Sequence, residues 1–402
     1  MDKRPNSRYN VSISRFLFQK EAKIIQKCST WNMSGQYKKG SEKMGNENLS
    51  FKKIGASSAA SWAWGTSLIM GQQIAQEKGI ISWIIWAVCN TLTLALFGWL
   101  FNKKKISPET YNRKEVKVIA LIIQLFCLLV QLNFINQQFL IITGSTTASY
   151  LITIALGFFF TLIVYKKGLP TSVKTDVYQW IMAIVSIIAI ISVGIFTKAP
   201  LQVFAPTSMS GVLWGIWSGL ILFAGPIGDV QHWQRAEADE SKKGYYLGSF
   251  LFGLYMLLIL GMAFFKFTLP MHIILLVAVL GVTTSTIDSI AVALHEVGNK
   301  KIGTGLALLL CITFGVFVKM GMLQLWSSFG VIRFAFAVGI LLLPLALKKK
   351  TNIVIPVSSI TFGLMVLFAT LGQITINSIV GVISFMIATI IIGYVSVKSL
   401  NG

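Results

Sequence analysis

The sequence predicts an all-α polytopic membrane protein of about twelve transmembrane helices, and three observations predict it. Of 402 residues, 54% are hydrophobic and only 12% charged, about half the charged share of an ordinary soluble protein. The apolar residues arrive in about a dozen runs of roughly 18 to 26 residues, each able to cross a hydrocarbon core about 30 Å thick as a helix. The basic residues sit almost wholly between those runs, on alternate sides. A soluble globular enzyme is excluded.

The spans fall at 56–76, 80–101, 116–136, 146–165, 176–197, 211–233, 244–265, 268–295, 302–318, 322–347, 353–371 and 376–397. With the amino terminus placed inside, the inner segments, 235–243 among them, hold 30 of the 35 Lys and Arg residues, 12 of them before the first span. The outer loops keep Lys78, Lys198, Lys266 and Lys319, and Arg333 alone is left inside a span. That asymmetry follows the positive-inside rule and orients both termini to the cytoplasmic side of the cell membrane. It also accounts for the net charge of +21 as topology and attraction to anionic lipid, which removes the warrant for nucleic acid as a partner.

Residues 1–53 are polar and basic, with one amphipathic stretch from Val11 to Ile25. They read as a disordered cytoplasmic tail, as sequence upstream of a true start at Met44, or as an interfacial helix on the inner leaflet. Residues 54–347 read as a ten-helix core in two halves, 54–197 and 198–347, and residues 348–402 as two additional spans. Cys28, Cys89, Cys127 and Cys311 have no paired spacing, and His232, His272 and His295 are scattered. Neither a disulfide framework nor a resident metal or cofactor is expected. No nucleotide-binding loop is present either, so uphill transport would draw on an ion gradient.

Two spans are built to break near mid-membrane. The first runs Ala59-Ala60-Ser61-Trp62-Ala63-Trp64-Gly65-Thr66-Ser67, small and hydroxyl residues around a glycine. The sixth, five spans on, runs Phe223-Ala224-Gly225-Pro226-Ile227-Gly228-Asp229, where proline removes a backbone donor and glycines ease departure from helical geometry. A Gly-Pro pair in a membrane helix also marks a plain kink. Breaks that open each of two five-helix halves, however, are the pattern of an inverted repeat with a binding site between broken helices.

The eighth span carries Thr283-Thr284-Ser285-Thr286-Ile287-Asp288-Ser289. Hydroxyl and carbonyl oxygens suit a small hard cation, sodium above all; the same hydroxyls also serve as back-bonds and helix-to-helix glue. Asp288 and Asp229, carboxylates within spans, each need a partner or a task. Asp176 is open to two readings, an ion path and a helix-start charge favoured by the dipole.

Three motifs in order resemble the sodium:solute symporter family over roughly Ala56 to Leu347. Gly168-Leu169-Pro170-Thr171-Ser172-Val173-Lys174-Thr175-Asp176-Val177-Tyr178-Gln179 is similar to its Gly-Leu-x-x-Val-x-x-Thr-Asp-x-x-Gln motif. Gln234-Arg235 is similar to its exit from the sixth core helix, and Ser285-Thr286-Ile287-Asp288-Ser289 to its Ser-Thr-x-Asp-Ser motif. The resemblance implies a leucine-transporter-type fold and symport of a small organic solute with sodium. It implies an ion site from Ser285 and Thr286 hydroxyls and from Val282, Ala59 and Trp62 carbonyls, with Asp176 on the inner ion path. Family members carry an extra helix ahead of the broken one, where this chain has its polar tail.

For the solute, expectation falls on Trp64, Gly65, Gln124, Gln131, Gly225 and Asp229. Gln124, Cys127 and Gln131 share one face of the third span. Trp62 and Trp64 read as gates or as interfacial anchors. Leu222 and Gly225 stand near where sugar carriers of the family have Tyr and Asn, which disfavours a sugar. The urea and polyamine-like branch and proline-like carriers of amino acids or small carboxylates both remain, with a monomer or weak oligomer expected. Arg333 either pairs with Asp288 or Asp229, or anchors a carboxylate solute. A proton-coupled or uncoupled carrier, a transporter-like sensor and an inactive homologue are the alternative classes.

Overall fold

The computed structural model describes residues 49–106, 114–167, 169–239, 241–298 and 300–313, together with Trp326, Phe329, Gly330, Arg333, Phe334 and Ala337. The basic tail up to residue 48, the spans expected at 353–371 and 376–397, and most of 322–347 lie outside the described residues. Within them the chain forms α1 (Phe51–Trp62), α2 (Gly65–Lys78), α3 (Ile80–Asn102), α4 (Lys114–Thr143), α5 (Thr146–Lys167) and α6 (Leu169–Phe196). There follow α7 (Met209–Phe223), a 3₁₀ turn at Pro226–Gly228, α8 (Val230–Ala238), α9 (Gly244–Ala263), α10 (Leu269–Gly298) and α11 (Lys300–Thr313). Among the described residues seven helices are long and apolar enough to cross a membrane.

The first break is an inverse γ-turn. Ala63 sits at φ −75° and ψ 65°, the geometry that closes a three-residue ring, and the Trp64 amide donates to the Trp62 carbonyl at 2.8 Å. Trp64 is then extended, and α2 restarts at Gly65. At the second break α7 ends at Phe223. Pro226 takes the first position of the 3₁₀ turn, where its missing N–H costs nothing, and Asp229 is extended before α8 begins. Thus both expected interruptions are present as changes of backbone conformation, beyond a simple kink.

Two local devices set connections between helices. Gly79, at φ +88°, turns the chain between α2 and α3 in a conformation that side-chain-bearing residues rarely adopt. Ser208 caps α7, its Oγ accepting from the Gly211 amide at 3.1 Å and so satisfying one of the free donors of the first turn. Leu201 and Phe265 form an isolated antiparallel bridge between two connecting loops.

The centre of the bundle is α10, whose span is 72% buried, against 22% for α5. It packs on α6, α4 and α11, while α3 pairs with α7 and α9 with α1. Large apolar side chains such as Leu151, Phe159, Val185, Phe250 and Leu257 stay exposed on the outer faces, as a protein with lipid for its solvent requires.

Candidate functional site

A buried polar cluster ties α1, α6, α8 and α10 together. Arg235 and Asp176 form an ion pair, Nη2 to Oδ2 at 2.8 Å, with both side chains 0% exposed. The same guanidinium donates from Nε to Ser57 Oγ at 2.7 Å, from Nη2 to Ser289 Oγ at 2.7 Å and from Nη1 to the Gln231 carbonyl at 2.9 Å. Asp176 also accepts from Ser57 and, at 2.6 Å, from Ser285 Oγ. Asp288 accepts from Ser172 at 2.7 Å, Thr175 at 2.8 Å and Ser289 at 3.3 Å.

The local geometry explains this convergence. Ser57 and Ser61 stand four apart on α1, and Ser285 and Ser289 four apart on α10, so each pair lies on one helix face. The two faces meet, with Ser61 Oγ 3.5 Å from Ser289 Oγ. Small side chains let the helices approach and leave hydroxyls as glue. Counted as ionised, two carboxylates face one guanidinium here. In that ionisation state one negative charge would be left in a place closed to water, and a monovalent cation would balance it.

The oxygens expected to hold sodium are buried and already engaged. The Ala59 carbonyl accepts from the Ala63 amide and the Trp62 carbonyl from Trp64, each at 2.8 Å. Thr286 back-bonds to the Val282 carbonyl at 3.0 Å, and Ser285 donates to Asp176. Each carbonyl keeps a second lone pair. Of the hydroxyl run, Thr284 back-bonds to Leu280 and accepts from Gln179 Nε2, whereas Thr283 Oγ1 is buried without a partner.

On the solute side the expected residues fall into separate tasks. Gln124 and Gln231 donate their amides to the two Asp229 oxygens, at 2.7 and 2.8 Å. Gln131 Oε1 accepts from the Gly65 amide at 3.3 Å, so it caps the restarted α2. Gly65 is a packing position, since a Cβ there would crowd Thr283 and Phe134, and Gly225 likewise seats the Trp62 indole. Trp64 lines a small cavity together with Trp62, Ser67, Asn90, Trp86 and Arg333.

Four readings of the sequence change. Arg235, grouped there with the loop charges of 235–243, is 0% exposed, because α8 carries it back into the bundle. Asp176 is two turns into α6, which starts at Leu169 and not near 176, so a helix-start charge is ruled out. Among the described residues Arg333 pairs with neither Asp288 nor Asp229; hydroxyls and amides already occupy those carboxylates. Trp62 and Trp64, 4% and 3% exposed, are not interfacial anchors. Sequence reasoning also passed over Ser57, Ser172, Asn90 and Trp86. For Ser57 the four-residue spacing to Ser61 was the available signal; for Asn90, a lone amide in an apolar span.

No protein-family model matches the chain, and no curated protein matches it. Among solved structures it matches that of a Na+-coupled sialic acid symporter in a substrate-bound outward-open state. The TM-score is 0.56 at 12% identity, over 88% of this chain and 90% of that one. At that identity the likeness speaks for the fold. The described residues accordingly form an all-helical, multi-pass membrane protein that shares its fold with that symporter.

Proposed function

We propose that the chain is a secondary active transporter that carries a small organic solute inward across the cell membrane together with sodium. We place it with the sodium:solute symporters whose three motifs it resembles. The observation that carries this reading is the buried Asp176–Asp288–Arg235 cluster, two carboxylates to one guanidinium, set among serine hydroxyls directly beside the first broken helix. Sodium entering from outside would bring both carboxylates into charge balance with Arg235 and bridge α1 to α10. Ordering the break in this way raises affinity for the solute, which is coupling in the thermodynamic sense. Release inward then requires the Arg235–Asp176 pair to part while the two halves rock about the site. Sodium moving inward supplies about 2.3 kcal/mol per 100 mV, equivalent to roughly fiftyfold accumulation of an uncharged solute.

The test is uptake into proteoliposomes by the double variant Ser285→Ala, Thr286→Ala. Losing two oxygen ligands, at about 1 kcal/mol each, is expected to raise the sodium concentration for half-maximal uptake about tenfold or more. Uptake at saturating sodium is expected to persist. An unchanged sodium dependence would remove these two residues from the ion site; uptake that follows a proton gradient and ignores sodium would replace the coupling ion.

A further inference from the structure

Beside the two breaks, the cavity lined by Trp62, Trp64, Trp86 and Arg333 carries an imbalance of its own. Arg333 is 2% exposed, and its Nε and Nη1 have no hydrogen-bond partner. Its guanidinium lies against aromatic faces, 4.7 Å from the Trp64 ring centre, 4.9 Å from Phe329 and 5.7 Å from Trp62. Rings hold a cation only in part, because they accept no N–H bonds in the guanidinium plane. Two further lining groups, the Trp64 and Trp86 indole N–H, are also buried without partners. Every unpartnered buried polar atom on this wall is therefore a donor.

A wall of donors with one fixed positive charge calls for an acceptor carrying one negative charge. Asp229 is the carboxylate whose charge acts on Arg333, and both of its oxygens are taken by Gln124 and Gln231. Resting on the symport reading above, we infer that the transported solute is a small monocarboxylate, held by Arg333 through its carboxylate and by the indole rings along its apolar body. A guanidinium edge matches a carboxylate two bonds to two. A doubly charged phosphate would leave negative charge uncompensated. An α-amino acid would bring an ammonium group to a wall that offers it no free carboxylate.

The probe is benzoate, with propionate, proline, urea and putrescine beside it. Binding to the purified full chain is followed by tryptophan fluorescence, since indoles line the cavity, and uptake is followed in proteoliposomes with and without a sodium gradient. Benzoate or propionate is expected to quench and to accumulate; proline, urea and putrescine are not. Arg333→Gln is expected to weaken carboxylate binding about 30-fold or more, the scale of breaking a buried charge pair. Arg333→Lys should restore part of it. Ligand-free Arg333→Gln should melt no lower than the unaltered protein, because the substitution removes a buried charge without a partner; a markedly lower melting temperature would assign Arg333 to structure and overturn the inference. Sodium-driven uptake of urea, putrescine or proline in place of the carboxylates would overturn it too, while leaving symport standing. Carboxylate binding that depends on Arg333 but ignores sodium would support the solute assignment and remove the coupling instead.

Discussion

Arg235→Gln is expected to cost about 3–5 kcal/mol of stability, the scale for removing one partner of a buried ion pair. Most of that comes from what stays behind. Asp176 would keep its charge at 0% exposure with only the hydroxyls of Ser57 and Ser285, and Ser289 and the Gln231 carbonyl would each lose a donor. Asp176→Asn should be destabilising for the mirror reason, as it leaves the guanidinium buried without its carboxylate. The double variant should be less damaged than the sum of the two, because it removes both charges together. Chemical unfolding in detergent for the four proteins of this cycle measures the coupling directly. Because the pair is sealed from water, its coupling should hardly change with salt, unlike that of an exposed pair. Additive losses, or a coupling that fades between low and high salt, would mean that the pair is not the closed contact described here. Transport should fall with the single variants as well, since on the proposed mechanism this contact must form and part in each cycle.

That contact also marks the limit of what the sequence reveals. The spans were legible from apolar run length, and both breaks from local chemistry, because proline, glycine and small residues act on the backbone where they stand. Ser285 and Asp288 were legible as unusual polar groups in an apolar helix. Arg235 was not. A charge just past a span reads as the start of a loop, and only the return of α8 into the bundle, after an extended Asp229, buries it against a residue 59 positions away. The same holds for Gln131 and Gly65: periodicity gives the face a side chain occupies, but the partner depends on how two helices are set in register, which no single segment encodes. Arg333 was legible as a buried cation in need of a partner. Its aromatic surroundings come from Trp62 and Trp64, residues distant in sequence that the turn at Ala63 brings against it.

Gly225→Ala tests whether the two breaks touch as described. A Cβ on Gly225 would fall 2.7 Å from Trp62 Cζ3, closer still to Cη2, and 3.0 Å from the Leu222 carbonyl. Trp62 has little freedom to yield. Its Nε1 donates to Asn90 Oδ1 at 2.8 Å, and its ring stands edge-on to His232, with centroids 5.5 Å apart. Overpacking of this kind costs about 1–3 kcal/mol, less than the loss at Arg235. The effect on transport is expected to be steeper than the effect on stability, because Trp62 is both the last residue of α1 and a wall of the cavity. Uptake should fall at least about tenfold in a protein that still folds, a misplacement of about an ångström being enough for such a loss. Trp62→Phe introduced into Gly225→Ala should recover stability by giving the new methyl room. Gly305→Ala on α11, where a Cβ meets nothing within 4 Å, serves as the control and should be neutral or gain up to about 1 kcal/mol from helix propensity. If Gly225→Ala transported normally and melted with the unaltered protein, Trp62 would not be seated on the second break, and the geometry that joins the ion cluster to the solute cavity would have to be redrawn.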